Sequence, residues 1–322
     1  MSKARELAEL GAVYDSGALS NRNFIINGAM QVWQRGTTSS NNSYGADRWR
    51  GTSVTSQAQS TDVPNASFAY SNAASGSGGS AGGIGTPIEL QVTGKSAPFK
   101  QNTKYTFSGY FKGTSGQKLQ LRLRYRDGMF GANSQEILAS TDIVTFDGTW
   151  QYVTKTVDFG SSVDVVGTSK CLELLLIHNT ADATWYQTGC QFELGTEATP
   201  FEHRSFGDEL ARCQRYYYRH VNGDNQFIGG GDMYTTSQLN ANIDFPTAMR
   251  AFPSLVAASG TNYYIAYGAG TSTDVTNSWN LFKEHTNAAT IYVTPTSTVT
   301  AGSGMRVITS SASGSIAFDA EL

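Results

Sequence analysis

From Lys118 to Arg126 the chain reads Lys-Leu-Gln-Leu-Arg-Leu-Arg-Tyr-Arg, apolar at every second position. Leu119, Leu121, Leu123 and Tyr125 point one way, and Gln120, Arg122, Arg124 and Arg126 the other. Strict alternation predicts a strand with one buried and one wet face, and hence an antiparallel sheet. "KYTFSGYFKG" repeats the pattern with Tyr105, Phe107 and Phe111 in register, and the C-terminus does so with Ile316, Phe318, Ala320 and Leu322. "CLELLLIHN" is apolar on both faces around Leu174 and Leu176, which suits a strand deep in the stack. In "NRNFIINGAMQVWQRG", Asn27-Gly28 separates two apolar runs and predicts strand, turn, strand. The Gly/Ser-rich stretch from Ala66 to Gly85 has no periodicity and reads as a long loop.

Helical spacing is confined to two places. Residues 2 to 10 predict a short helix with Leu7 and Leu10 on one face, too short to be stable alone, since about 12 residues are usually needed. Ser205 with Asp208 forms a capping box before a helix that carries Phe206, Leu210, Cys213 and Tyr217 on one side. The expected architecture is all-β. It comprises an N-terminal helix and tether (1–20), a β-sandwich (21–205), a linking helix (206–219) and a second, C-terminal β-sandwich-like domain (220–322). No internal repeat marks a solenoid or parallel β-helix.

Charged residues are 15% of the 322, and Gly, Ser, Thr and Asn are abundant, a balance suited to short strands and tight polar turns. A net charge of −3 gives no field that would draw nucleic acid or an anionic membrane. No apolar run approaches the roughly 18 residues of a membrane span, and "MSKARELAEL" lacks the apolar stretch of a secretory signal. Assembly in a cytoplasm is therefore expected. Cys171, Cys190 and Cys213 lack metal spacing and are expected as reduced core residues.

Candidate chemistry is sparse. Gly78-Gly79-Ser80-Ala81-Gly82 matches G-x-S-x-G but lacks the strand and helix that a nucleophile elbow requires. His178, His203, His220 and His285 are scattered, so no metal is expected. Glu193, Glu197 and Glu202 read as a solvated strand end, and no cofactor loop is present. The basic face of Arg122, Arg124 and Arg126 offers guanidinium forks to acidic glycans or to a neighbouring protein, or else simply meets solvent. Of the five tryptophans, Trp33 and Trp49 read as core, whereas Trp185-Tyr186 is a candidate for stacking on sugar rings.

Taken as a set, "NFIINGAMQVWQRGT", "YGADRW" and "FELGTEATPFEHRSFGDELARCQRYYYR" resemble tailed-bacteriophage virion proteins, tail-fibre and related structural proteins with a carbohydrate-binding-module-like jelly roll. The matching elements are Asn27-Gly28, Ala46 to Trp49, Gln191 to Glu202 and Cys213 to Tyr217, over roughly residues 21–219. The resemblance implies a non-enzymatic virion appendage that contacts host surface polysaccharide and is homotrimeric; the short N-terminal helix, which needs a partner to be ordered, is expected to dock other virion proteins through Leu7 and Leu10. A capsid decoration or head-fibre protein and a glycan-cleaving tailspike are the alternatives. Related modules often hold a calcium ion after the Asn-Gly turn. Ala29, Met30 and Gln31 stand there instead, so no calcium is carried over.

Overall fold

The computed structural model describes residues 22–76, 83–90, 99–128, 131, 134–161, 171–178, 184–268, 271–275 and 278–321. The helix expected over 2–10, with Leu7 and Leu10, lies outside the described residues, as do Gly78 to Gly82 and Leu322. Two compact units divide between Glu209 and Leu210.

The first unit contains β1 (Thr38–Ser40), β2 (Arg50–Thr52), β3 (Val54–Ser60), β4 (Ser71–Gly76), β5 (Gly83–Glu89) and β6 (Lys104–Gly113). It continues with β7 (Lys118–Arg126), β8 (Ser134–Thr145), β9 (Gln151–Asp158), β10 (Cys171–His178) and β11 (Thr184–Leu194). Among the described residues these form a six-stranded sheet, β1-β3-β4-β11-β6-β9, facing a five-stranded sheet, β2-β5-β10-β7-β8. The chain passes repeatedly from one sheet to the other, as in a jelly roll. Every pairing is antiparallel.

Alternation does what it predicts in β6 and β7, where Tyr105, Phe107, Phe111, Leu119, Leu121, Leu123 and Tyr125 are buried between the sheets. Strand β10 lies between β5 and β7 and is buried along its whole length. Each fully buried Leu or Phe contributes about 1.5–3 kcal/mol, so this interior dominates the stability of the unit. Cys171, Cys190 and Cys213 are buried and unbridged. Burial pushes the Cys171 thiol up to about 12 and that of Cys190 higher still.

Several expectations fail for identifiable reasons. The stretch 66–85 is not one loop, because β4 and the start of β5 lie within it. Its residues are small where neighbours come close: a Cβ on Gly83 would overlap the Leu176 carbonyl. Small residues hide the alternation. The Asn27-Gly28 segment is not a hairpin either. Asn27 sits at φ 58° and its side chain takes over backbone groups that a ladder would otherwise pair. Its Nδ2 donates to the carbonyls of Val32 and Asp47, both at 2.9 Å. Its Oδ1 accepts from the amides of Gln31 and Val32.

The motif residues of the resemblance converge on this point. Asn27 N donates to Glu209 Oε1 at 2.6 Å, and the Trp49 indole donates to the Asn27 carbonyl at 3.0 Å. Gly28 accepts from the Cys190 amide, and a Cβ on Gly28 would overlap the Cys190 carbonyl oxygen. Asp47 Oδ1 accepts from the Gln34 amide, and Arg48, buried at φ 71°, reaches the Pro87 carbonyl. Glu202 accepts from Asn23 N, while Arg204 donates to the carbonyls of Asn23 and Ile25. Glu193, 2% exposed, receives the Thr199 amide and hydroxyl. Glu193 and Glu202 are thus members of a polar clasp and not a solvated strand end; Glu197 is exposed.

The capping box forms, with the Asp208 amide on Ser205 Oγ at 3.1 Å and that hydroxyl on Asp208 Oδ2. Helix α1 spans Phe206–Gln214, shorter than expected. Tyr217 therefore opens a strand instead of continuing the helical face, and Phe206 is exposed.

The second unit contains β12 (Tyr217–Asn222), β13 (Phe227–Thr235), β14 (Gln238–Asp244), β15 (Ser254–Ala257) and β16 (Tyr264–Gly268). It ends with β17 (Thr271–Val275), β18 (Asn280–Glu284), β19 (Ala288–Val293), β20 (Gly304–Thr309) and β21 (Ser315–Asp319). A three-stranded sheet, β12-β21-β15, accompanies a seven-stranded sheet, β17-β16-β20-β13-β14-β19-β18. They share a core that includes Met233, Leu239, Tyr264, Ile291, Val307 and Phe318. Ile316, Phe318 and Ala320 are buried as their alternation predicts. The protein is all-β, two β-sandwiches with one short described helix.

Candidate functional site

In β6 the inward positions are Tyr105, Phe107 and Phe111, so Ser108, Tyr110 and Lys112 face outward on the six-stranded sheet. In β9 the inward positions are Val153 and Val157, which turns Tyr152, Thr154 and Thr156 to the same outer face. Register places Tyr152 directly beside Tyr110, and Tyr110 beside Thr188 of β11. The two phenol rings lie 4.8 Å apart, and Tyr152 is 47% exposed.

The loop before β4 brings Phe68 to 5.5 Å from Tyr110. Phe201 and His203 close on Phe68 at 5.4 and 5.2 Å. Gly189, at φ 62° in the bulge of β11, makes this possible, because a Cβ there would press on both Phe68 and Tyr110. The result is a depression of about 470 Å³ floored by Tyr110 and Tyr152, with Asn65, Ser67, Thr199 and Phe201 among its walls. None of its described lining residues is a carboxylate.

One row along the same face, Lys112 is paired across the strands with Tyr186. Lys112 Nζ donates to Asp62 Oδ2 at 2.7 Å, and the Trp150 indole donates to Asp62 Oδ1 at 2.9 Å. The Trp150 and Tyr186 rings are 6.2 Å apart. The hydrogen bonds from Lys112 and Trp150 hold the Asp62 carboxyl below the usual carboxylate range. The arrangement offers ring faces flanked by amides and hydroxyls, with its one carboxylate already engaged.

Sequence reasoning offered Trp185 and Tyr186 together, but successive strand residues face opposite ways. Tyr186 reaches the outer face. Trp185 is fully buried, stacked on His178 with centroids 5.2 Å apart, and is unavailable to a ligand. Arg122, Arg124 and Arg126 lie on the other sheet. Arg122 forms a two-pronged pair with Glu136. Arg124 and Arg126 both bind Glu173, which is fully buried, and Arg126 itself is only 7% exposed. Their role is to neutralise an interior carboxylate, which corrects the reading of a wet basic face. Tyr110 and Tyr152 were missed, although each is an aromatic out of phase with its strand's buried positions, and that is the signal to look for. Among the described residues no cluster of His, Cys, Asp and Glu could hold a metal, and no helix is long and apolar enough to cross a membrane.

No protein-family model matches the chain, and no curated protein matches its sequence. Among solved structures, the CBM22-1 xylan-binding domain of Paenibacillus barcinonensis Xyn10C is similar at 16% identity and a TM-score of 0.33. That match covers 50% of this chain and 94% of the other. The tandem CBM22-1–CBM22-2 structure from the same enzyme matches at 11% identity and a TM-score of 0.33, covering 88% and 95%. The enzymatically active domain of bacteriophage CBA120 tailspike protein 4 matches at 14% identity and a TM-score of 0.35, covering 54% of this chain and 22% of that one. These are likenesses of strand arrangement alone.

Proposed function

We propose that the first unit is a non-catalytic glycan-binding module, carried by a structural protein of a tailed-phage virion. The Tyr110–Tyr152 pair carries the glycan reading: two adjacent phenol rings sit on a strand face beside the hydroxyls of Ser108, Thr154 and Thr156. Pyranose rings present apolar C–H faces to such planes, and Asn65 and Ser67 stand where ring hydroxyls would need partners. Hydrolysis would require two carboxylates about 5–9.5 Å apart across the sugar. Asp62, tied to Lys112 and Trp150, is no such pair.

Retardation in native gels containing dextran, xylan, galactomannan or bacterial O-polysaccharide tests this reading. Tyr110→Ala with Tyr152→Ala should weaken binding by about 5- to 150-fold, at about 0.5–1.5 kcal/mol per ring contact, with no reducing ends released by either protein. Undiminished retardation of the double variant would remove the platform, and sustained release of reducing ends would make the protein an enzyme.

The virion reading rests on the motif set, from Asn27-Gly28 to the Cys213–Tyr217 segment. A fibre or fibre-like appendage is the reading favoured here, with a capsid decoration or head-fibre protein as the second. Weak sites gain avidity of about a hundredfold or more when several are carried on one body, which favours a homo-oligomer, a trimer by the resemblance. Light scattering should give about three times the 34.6 kDa of one chain, and immunogold should label intact particles at the tail. Deleting residues 1–20 should prevent incorporation of the protein into particles. A monomer would remove the avidity argument, and label confined to the head would favour the capsid reading.

A further inference from the structure

The outer face of the seven-stranded sheet in the second unit carries a row of side chains in direct register. Asp232 of β13 pairs with Asn240 of β14, which pairs with Tyr292 of β19. The neighbouring core positions Met233, Leu239, Ile291 and Val293 are buried, so this row faces away from the core. Tyr234 and Phe282 join Tyr292 there, with ring centroids 5.9 and 6.0 Å apart along the chain of three. Tyr234 is 60% and Phe282 39% exposed. Three rings in contact on a solvent face bury little and so need another reason to be there.

Two amides of β14 lie on this face, Asn240 beside Tyr292 and almost buried, and Asn242 one row along and exposed. Gln238 Nε2 donates to Asn240 Oδ1 at 2.9 Å, and Thr290 Oγ1 donates to Asn242 Oδ1 at 2.7 Å. Each bond uses one polar atom of its amide, so the exposed Asn242 keeps hydrogen-bonding capacity for a ligand, and the exposed Asp232 carboxylate supplies acceptors. On the other side of Asp232 the sheet is bare. Gly230 and Gly304 occupy adjacent strands, and a Cβ on either would meet nothing within 4 Å. Beyond them Tyr267 stands under the Arg306 guanidinium, 5.8 Å from its ring. The face is therefore a shallow trough, open at Gly230 beside Arg306 and at Gly304 beside Asp232, with the Tyr234–Phe282–Tyr292 rings at one side and the Tyr267 ring at the other.

We propose that this trough is a second carbohydrate-binding site, taking an uncharged oligosaccharide. Asp232 and Arg306 are opposite in sign, which gives no preference for a polyanion. Donors and acceptors lying directly beside apolar rings match a ligand with C–H faces and hydroxyl edges. A protein partner would favour an interface core depleted of such polar groups.

The test uses the intact chain in the same dextran, xylan, galactomannan and O-polysaccharide gels. The Tyr110→Ala/Tyr152→Ala protein should keep a residual retardation on at least one polymer. Adding Tyr234→Ala and Phe282→Ala, or separately Gly230→Gln, should abolish it. Gly230→Gln removes no contact and fills the trough, so its effect cannot come from lost packing. Should the Tyr110/Tyr152 variant bind as well as the unchanged protein while the trough variants do not, the first-unit reading falls and this one stands. Two results overturn it: no residual retardation of the Tyr110/Tyr152 variant on any of the four polymers, or residual retardation that survives both trough variants. A lower mass by light scattering for Tyr234→Ala/Phe282→Ala would also overturn it, and would assign the rings to a contact between copies of the chain.

Discussion

Asn27→Ala is expected to lower the unfolding transition of the first unit by about 10–20 °C. The side chain satisfies two amides and two carbonyls, of Gln31, Val32 and Asp47, at a residue that is itself fully buried. A buried backbone group left unpaired costs about 1–3 kcal/mol, and water can reach only some of the four. Alanine at φ 58° adds about 1 kcal/mol that asparagine, which tolerates the left-handed region, largely avoids. The sum is about 4–6 kcal/mol, and a domain of this size shifts by about 2–4 °C per kcal/mol. Asn27→Asp keeps the acceptor for Gln31 and Val32 but loses both donated bonds, so its loss should be intermediate. Calorimetry measures the shift, and hydrogen exchange at the Gln31 and Val32 amides locates it. A shift under about 3 °C for Asn27→Ala would mean that the clasp is redundant.

The same residue shows why one part of the fold was legible and another was not. The Asn-Gly signal was read as a local event, a turn between two strands. Its partners lie up to 182 positions away, at Glu209, and no local pattern reports them. By contrast β6, β7 and β21 each contain their own instruction, because a period of two fixes which face is buried without reference to anything distant. Strands β4 and β5 fall between these cases: they are strands, but their Ala and Gly residues are dictated by close neighbours, so hydrophobicity does not mark them. The candidate site was half legible. The pair Trp185-Tyr186 attracted notice as aromatic, but phase decides which of two adjacent rings meets solvent. Applying that phase rule to "KYTFSGYFKG" singles out Tyr110, the aromatic on the polar side. Its companionship with Tyr152 comes only from the β6–β9 register.

Arg124→Gln with Arg126→Gln is expected to destabilise the first unit as much as a core truncation would, although alternation alone marks both as replaceable surface residues. Arg124 Nε binds Glu173 Oε2, and Arg126 Nη1 lies 3.4 Å from the same oxygen. Glu173 is fully buried on β10, directly opposite Arg124 in register. A surface ion pair is worth about 0–1 kcal/mol, because water solvates the separated partners nearly as well. Glu173 has no such alternative. Removing the cations from a buried carboxylate costs about 3–5 kcal/mol, which corresponds to roughly 6–20 °C in the unfolding transition. Arg122→Gln is the internal control, since its partner Glu136 is 38% exposed, and it should cost less than about 1 kcal/mol. Adding Glu173→Gln to the double variant removes the stranded charge and should recover more than half of the loss. That recovery separates electrostatics from packing, because the guanidinium stems are missing in both proteins. If Arg122→Gln and Arg124→Gln/Arg126→Gln prove equally mild, Glu173 is reached by water, and the strand face is the solvated one that its alternation predicts.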